Sequence, residues 1–204
     1  MIEILKNGGP LMVPIILCGI LALFIIIERI HYYVSVKKRD KVFLEKLDAA
    51  LDAGDFSAAV AACIESDTPC AKVIRAALDC RSYDEAHLKE IVRTRMDTVI
   101  PKFEHLLTAL GTIANVSTLL GLLGTVTGNI KAFGVLGSGG SMGDPAVLAN
   151  AIAEALVTTV AGLCVAIPSL VFNNAFNNIV SHRICDMEAA VTQVVFRLIG
   201  KESK

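Results

Sequence analysis

The sequence has few charged residues, and this shortage excludes most soluble folds. Only 19% of its 204 residues are charged, whereas an average soluble domain carries about 25%. Apolar residues make up 54% of the chain, and the mean hydropathy is +0.61. Most charges lie in one central stretch, and three long stretches have almost none. The sequence therefore predicts an all-α integral membrane protein.

Several motifs of soluble proteins are also missing. The net charge is −1 and there is no basic or aromatic-rich patch, which argues against a nucleic-acid partner. The six cysteines form no CxxC pair and the four histidines lack zinc-ligand spacing, so we expect packing thiols and no metal site. Because there is no nucleotide-binding P-loop, we expect neither a cofactor nor an enzymatic activity.

Three runs without charge, apart from one glutamate, are candidates for membrane spans. They are Leu11–Ile27, Leu106–Ile130 and Ala146–Phe172. A span needs about 20 residues, and Gly8–Pro10 adds apolar length to the short first run. A secretory signal is the competing interpretation of that run. No small-residue cleavage site follows it, so we expect a retained span.

The basic residues predict the orientation of the spans. Lys37, Lys38 and Arg39 follow the first run, and positive charge stays on the cytoplasmic side. We therefore expect the N-terminus on the outer side of the membrane and the C-terminus in the cytoplasm. Lys131, just before the predicted periplasmic loop, fits this orientation poorly.

This orientation predicts four regions of the chain. We expect the second and third spans to extend into a cytoplasmic helical domain. The predicted regions are 1–30 (N-terminal segment and first transmembrane helix), 31–104 (cytoplasmic helical domain), 105–173 (second and third transmembrane helices with a short, glycine-rich periplasmic loop) and 174–204 (cytoplasmic C-terminal helix).

Local signals divide the central polar region into helices. Gly54 is expected to end one helix, and Asp55 to cap the next. Thr68–Pro69 is expected to open a third helix, and Asp84 a longer fourth one. Proline breaks helical hydrogen bonding, so Pro101 is expected to interrupt that fourth helix.

Glu154 is the most informative single residue. It is the only charged residue in the third run. An ionised carboxylate in hydrocarbon is costly, so it must face a cavity, find a partner or carry a proton. Thr158 lies one turn away on the same face, whereas Thr159 is rotated by about 140°. Pro168 can free a backbone carbonyl near the other end of the run.

The second run has two distinct faces. Residues at three- and four-residue steps form a mostly polar stripe, whose members are Asn115, Thr118, Leu122, Thr125 and Asn129. The other face carries Gly121, Gly124 and Gly128, which suit close packing in a bundle or an oligomer. A proton or ion path is the favoured interpretation. The alternatives are threonines that bond to their own helices and a Glu154 that only joins helices.

Two motifs resemble those of the MotA/TolQ/ExbB proton-channel family. They are GLLGTVTG (121–128), followed by Ala132–Phe133, and IAEALVTTVAGLCVAIPS (152–169). GGPLMVPI (8–15) and IERI (27–30) are similar to the TolQ/ExbB branch, most of all to ExbB. Three spans rather than four also favour that branch. Thr127 departs from the pattern, because many members carry tryptophan there.

The resemblance implies a proton-conducting stator subunit of an inner-membrane motor that turns proton motive force into work on envelope proteins. It implies a pentamer in membrane lipid around a dimer of single-span ExbD/TolR-like partners, acting on a TonB- or TolA-like protein. The channel residues carried over are Thr125, Glu154 and Thr159. The helical positions add Thr158, Thr118 and Asn115 as further candidates for lining the pore.

Other functions remain open at this point. The expected role is ExbB-like energising of TonB-dependent outer-membrane transport. A TolQ-like or gliding-type motor subunit and a non-conducting membrane scaffold are the alternatives. A secondary transporter is disfavoured, because the sequence has neither an inverted repeat nor a pair of broken spans.

Overall fold

The fold is built from α-helices throughout the part of the chain that the structure describes. The computed structural model describes the backbone of residues 9–137 and 145–202, and the side chains of 9–134 and 145–198. The helices are α1 (Met12–Ala53), α2 (Phe56–Ser66), α3 (Pro69–Asp79), α4 (Glu85–Glu104), α5 (Leu107–Gly137) and α6 (Pro145–Glu202). Most of the predicted glycine-rich loop lies outside the described residues.

Three helical stretches are long and apolar enough to cross a membrane. They are Met12–Ala53, Glu85–Gly134 and Pro145–Leu198. The predicted all-α membrane fold is thereby confirmed. At a rise of 1.5 Å per residue, the 42 residues of α1 and the 58 of α6 give lengths of about 63 and 87 Å. Both lengths exceed a hydrocarbon core of about 30 Å, so both helices continue into polar sequence.

The second of these stretches contains a break between α4 and α5. The break lies at His105 and Leu106, and Leu106 has a positive φ of 67°. The prediction that Pro101 interrupts α4 is wrong, because the helix passes through it and ends at Glu104. A proline removes one ladder hydrogen bond, and a packed helix tolerates that loss. Phe103, beyond the proline, is buried and holds the last turn in place.

The predicted boundaries of the short helices are confirmed where the capping chemistry is local. Gly54 has a φ of +71° and follows the last residue of α1. The Asp55 carboxylate accepts hydrogen bonds from the backbone N–H groups of Ser57 and Ala58, at 3.0 and 2.9 Å. Asp84 precedes α4, but its side chain pairs with His87 instead of capping the backbone.

The helices fall into two compact units. Unit 1 consists of Met1–Glu28 and Leu106–Ala175, and unit 2 consists of Arg29–His105 and Phe176–Lys204. Unit 1 contains the three predicted span sequences, and unit 2 contains α2, α3 and α4. Both α1 and α6 contribute to each unit.

Unit 2 has a core of large apolar side chains. The largest fully buried ones include Phe43, Leu47, Ile74, Leu78, Leu88 and Phe103. The Tyr33 hydroxyl donates a 2.8 Å hydrogen bond to the backbone carbonyl of Phe103, and its ring centroid lies 5.6 Å from that of Phe176. A buried hydroxyl is thereby satisfied, and segments distant in sequence are joined.

Two buried thiols also belong to unit 2. Burial raises the pKa of Cys63 to about 11 and that of Cys70 to about 12, because desolvation disfavours the charged thiolate. Both groups therefore stay protonated near neutral pH and act as small packing groups.

Candidate functional site

The candidate site lies in unit 1, where small residues of α5 and α6 face each other. Buried residues recur along both helices at three- and four-residue steps, which places them on one face of each. We call this contact the α5–α6 seam. Its members are Ala114, Ser117, Gly121, Gly124 and Gly128 of α5, and Ala151, Ala155, Thr158, Gly162 and Ala166 of α6.

The glycines of the seam allow contacts that no side chain would permit. A Cβ placed on Gly124 would lie 2.0 Å from the Thr158 hydroxyl oxygen, and one on Gly128 would lie 2.5 Å from the Cβ of Ala155. On Gly162 it would lie 2.6 Å from the backbone carbonyl oxygen of Ser117. The predicted glycine face of α5 is therefore the face that packs against α6.

The two candidate threonines of α6 are both engaged at the seam. Thr158 is 2% exposed, and its hydroxyl donates to the carbonyl of Ala155 at 2.8 Å. The Thr159 hydroxyl lies 2.9 Å from the carbonyl oxygen of Gly121 and so links the two helices. Thr158 thus faces α5, whereas Thr159 binds across the seam from a half-buried position.

The polar stripe of α5 lies off the seam. Asn115 and Thr118 are exposed and Thr125 is half-buried. The hydroxyls of Thr118 and Thr125 donate to carbonyls of their own helix, at 3.1 Å to Ala114 and 2.6 Å to Leu122. Within the described residues, no hydrogen bond joins Thr125 to Glu154 or Thr159. The stripe therefore forms a surface of α5 on which another helix could pack.

Glu154 forms an ion pair with Lys131. The Nζ atom of Lys131 lies 2.8 Å from Oε1 of Glu154. The glutamate side chain is 25% exposed and the lysine side chain is 54% exposed. The pair joins the end of α5 to the beginning of α6. The carboxylate thus has a partner within its own chain, across two helices.

The backbone of Gly9 lies close to the same carboxylate oxygen. A Cβ built on Gly9 would lie 1.9 Å from Oε1 of Glu154. Gly9 also has a φ of +63°, a conformation that side chains disfavour. Only glycine therefore fits this position while the carboxylate stays where it is.

Sequence reasoning missed the roles of Lys131 and Gly9. In the sequence, Lys131 is distinguished only as a charge that fits the predicted orientation poorly. Lys131 lies near the end of α5 and Glu154 near the start of α6, and each is isolated in apolar sequence. Two such opposite charges on consecutive helices are a sequence signal for an ion pair. Pro168 lies inside α6, which runs through it without a break.

A separate cavity in unit 2 holds none of the predicted site residues. It measures about 830 Å³ and is lined by residues of α2, α3 and α4 with charges of both signs, such as Lys72, Arg75, Asp79 and Glu90. Its size does not make it the functional site, because its mixed, exposed charges favour no single ligand.

Comparison with known proteins identifies the family. The sequence model of the MotA/TolQ/ExbB proton channel family matches residues 65–189. A Synechocystis protein named ExbB-like 1 is 33% identical over 206 residues, which cover 98% of this chain and 80% of that one. The biopolymer transport protein ExbB of Neisseria gonorrhoeae is 27% identical over 219 residues, covering 98% and 97%.

A shorter match connects the chain to the TolQ proteins. The Tol-Pal system protein TolQ of Haemophilus influenzae is 39% identical over 93 residues, which cover 44% of this chain and 40% of that one. The ExbB and ExbB-like matches extend over nearly the whole chain. The chain also has three helices that are long and apolar enough to cross a membrane. The chain therefore belongs to the MotA/TolQ/ExbB proton channel family, in its ExbB-like branch, and is a multi-pass membrane protein.

Proposed function

We propose that this chain is a proton-conducting stator subunit of an inner-membrane motor, with Glu154 as its proton-carrying group. The motor converts proton motive force into mechanical work on envelope proteins. Its expected task is the ExbB-like energising of TonB-dependent outer-membrane transport. The family is a channel family, and no step of the proposed mechanism makes or breaks a covalent bond other than those to the moving proton.

The observation that carries this proposal is the position of Glu154. It is the only charged residue of the apolar run Ala146–Phe172, which is long enough to cross a membrane. It is three-quarters buried, and its one described ionic partner is half exposed. A carboxylate in such a place is costly unless it pairs or takes up a proton. Glu154 has access to both states, which a proton carrier requires.

The threonines supply the next groups along the path. Thr159 and Thr125 lie deeper along α6 and α5 than the Glu154–Lys131 pair, and their hydroxyl protons are directed at backbone carbonyls. Each hydroxyl oxygen then keeps lone pairs that can accept a hydrogen bond from a passing water or hydronium ion. In the proposed path, protons enter from the periplasm and leave through the Thr125–Glu154–Thr159 region to the cytoplasm.

The driving force is adequate for mechanical work. One charge crossing a membrane releases about 2.3 kcal/mol per 100 mV, or roughly 3.5 kcal/mol at 150 mV. Protonation removes the charge of Glu154 and so changes which neighbouring surface its helix favours. Successive protonations can thereby drive rotation of a central partner against the subunits.

A single chain cannot enclose a pore with the surfaces described. The polar stripe of α5 is exposed, so it needs neighbours to complete a path. The proposed assembly is a pentamer around a dimer of single-span ExbD/TolR-like helices. The N-terminus is periplasmic and the C-terminus cytoplasmic, because the basic residues lie after the first span.

Replacement of Glu154 tests the proposal. Glu154→Gln keeps the size of the side chain but removes its charge and its proton exchange. We expect partner-dependent proton flux in proteoliposomes to be lost, while the oligomer elutes unchanged. Glu45→Gln is the matched control, because Glu45 is an exposed glutamate of unit 2, and it should keep the full flux. Undiminished flux in the Glu154 variant would refute the function.

A non-conducting scaffold is the second candidate, and the ion pair itself favours it. A 2.8 Å contact between two helices also describes a structural link. This function predicts no partner-dependent proton flux in the wild type. A TolQ-like or gliding-type motor conducts protons as proposed but acts on a different envelope protein, so identification of the co-purified single-span partner separates these systems.

A further inference from the structure

We propose that Lys131 is the resident counter-ion of Glu154 and makes this site selective for protons over sodium ions. The inference rests on the proposed function, because it concerns which ion Glu154 carries. It identifies Lys131, which lies outside the two motifs quoted above, as a residue that determines ion specificity.

The first ground is that the ammonium group already occupies a cation position on the carboxylate. Its nitrogen lies 2.8 Å from Oε1 of Glu154, the distance of a charge-assisted hydrogen bond. The backbone of Gly9 lies close to the same oxygen. A sodium ion bound to this oxygen would have to displace the lysine.

The second ground is the scarcity of charges in the parts of α5 and α6 that bring the pair together. The runs Leu106–Ile130 and Ala146–Phe172 contain no charged residue except Glu154. Lys131 is the only charged residue of α5, and it pairs with Glu154, which lies 23 residues further along the chain.

The third ground is the chemical difference between the two ions. A sodium ion needs a shell of several oxygen ligands, as hard cations generally do, and an ammonium group at 2.8 Å repels it from that shell. A proton needs only one lone pair. It bonds to a carboxylate oxygen, converts the carboxylate to a neutral acid and ends the ion pair. The proton later leaves to water and the pair forms again.

The exposure of the lysine makes this exchange possible. The Lys131 side chain is 54% exposed, so its ammonium group can stay solvated after Glu154 takes up a proton. A fully buried lysine would instead be left as an unpaired charge at high cost. Lys131 therefore alternates between a paired and a solvated state without leaving its helix.

The test compares ion selectivity in the complete complex, co-purified with its single-span partner and reconstituted in liposomes. Proton flux is followed with a pH-sensitive dye and sodium uptake with radioactive sodium. Lys131→Met removes the ammonium group and keeps an unbranched side chain, and Lys131→Arg keeps the charge. We expect the wild type and the arginine variant to carry protons without sodium uptake.

The methionine variant should admit sodium. We expect its ratio of sodium to proton flux to rise by at least about tenfold, which corresponds to ~1.4 kcal/mol of lost discrimination. An unchanged ratio would overturn the role of Lys131 while leaving the proton path intact. Sodium uptake by the wild type would also overturn it. If the Glu154→Gln variant carries as much proton flux as the wild type, the proposed function itself fails.

A binding measurement covers the case of a variant that conducts neither ion. Sodium chloride should raise the thermal unfolding midpoint of Lys131→Met more than choline chloride of the same ionic strength does. The wild type and the double variant Lys131→Met/Glu154→Gln should show no such difference. If sodium has no specific effect on the methionine variant, Lys131 does not guard a sodium site.

Discussion

The α5–α6 seam and the core of unit 2 bury very different side chains. The α5–α6 seam of unit 1 buries glycine, alanine, serine and threonine, whereas unit 2 buries side chains as large as Phe43 and Phe103. In water, burial of large apolar groups supplies most of the stability. In lipid that gain is absent, so helices associate through close backbone contact. Larger side chains should therefore destabilise the α5–α6 seam, and smaller side chains should destabilise the core of unit 2.

The largest effect should follow from removing atoms in unit 2. Ile74→Ala opens a cavity at a residue with 0% exposure, and such truncations cost roughly 2–5 kcal/mol. Ile64→Ala makes the same change at a residue that is 56% exposed. Denaturation of the purified protein should separate the two variants by at least about 2 kcal/mol. Equal stabilities would mean that unit 2 does not depend on its buried side chains.

An added methyl group in unit 1 should have the next largest effect. In Gly162→Ala the new Cβ would lie 2.6 Å from a backbone carbonyl oxygen and 3.0 Å from the Cα of Gly121. Backbone cannot rotate away as a side chain can, so the helices must separate. We expect a loss of about 1–3 kcal/mol, the usual cost of overpacking, measured as lower resistance of the purified protein to denaturation.

Gly134→Ala is the control for that experiment. A Cβ at Gly134 meets nothing within 4 Å, so the variant should be as stable as the wild type or slightly more stable, because alanine favours the helix. If both variants behave alike, close packing does not hold the seam together.

The smallest expected effect concerns a buried charge in unit 2. Burial raises the pKa of Asp40 above its ordinary value, although Thr68, Arg183 and Arg39 act in the opposite direction. A raised pKa means that the folded state holds its proton more tightly than the unfolded state. Asp40 therefore costs stability as the pH rises from about 4 towards neutrality.

Asp40→Asn should remove that cost. One oxygen of the Asp40 carboxylate, Oδ1, is buried without a hydrogen-bond partner. We expect the variant to gain up to about 1 kcal/mol over the wild type at pH 7, and the gain should shrink near pH 4. Asp97→Asn, at an exposed aspartate of the same unit, should leave the pH profile unchanged. A gain that is independent of pH would rule out ionisation as its cause.

The sequence predicted the fold well wherever the signal was local. The stop at Gly54 and the caps at Asp55 and Thr68 depend on one or two neighbouring residues, and the three apolar runs depend on composition alone. The break at Leu106 could not be predicted, because leucine has no special preference for a positive φ. Pro101, five residues earlier, predicts a boundary instead, and α4 continues through it.

The candidate site was only partly predictable. The glycine periodicity of α5 predicts a packing face, and Gly124 and Gly128 lie close to residues of α6. The pairing of Glu154 with Lys131 depends on how far α5 and α6 overlap, which is set by contacts such as that of Gly128 with Ala155. A helical wheel of one helix contains no information on that overlap. The proton pathway through Thr125, Glu154 and Thr159 stays a prediction.

The composition of the seam has a thermal consequence. Glycine and alanine have no side-chain rotamers to lose, so ordering them costs no side-chain entropy. Separating the two helices within lipid would expose little apolar surface to water, so it would add little to the heat capacity of unfolding. The free energy of the α5–α6 contact should therefore change almost linearly with temperature, without the curvature that a large heat-capacity change produces. The water-driven core of unit 2 should vary much more with temperature.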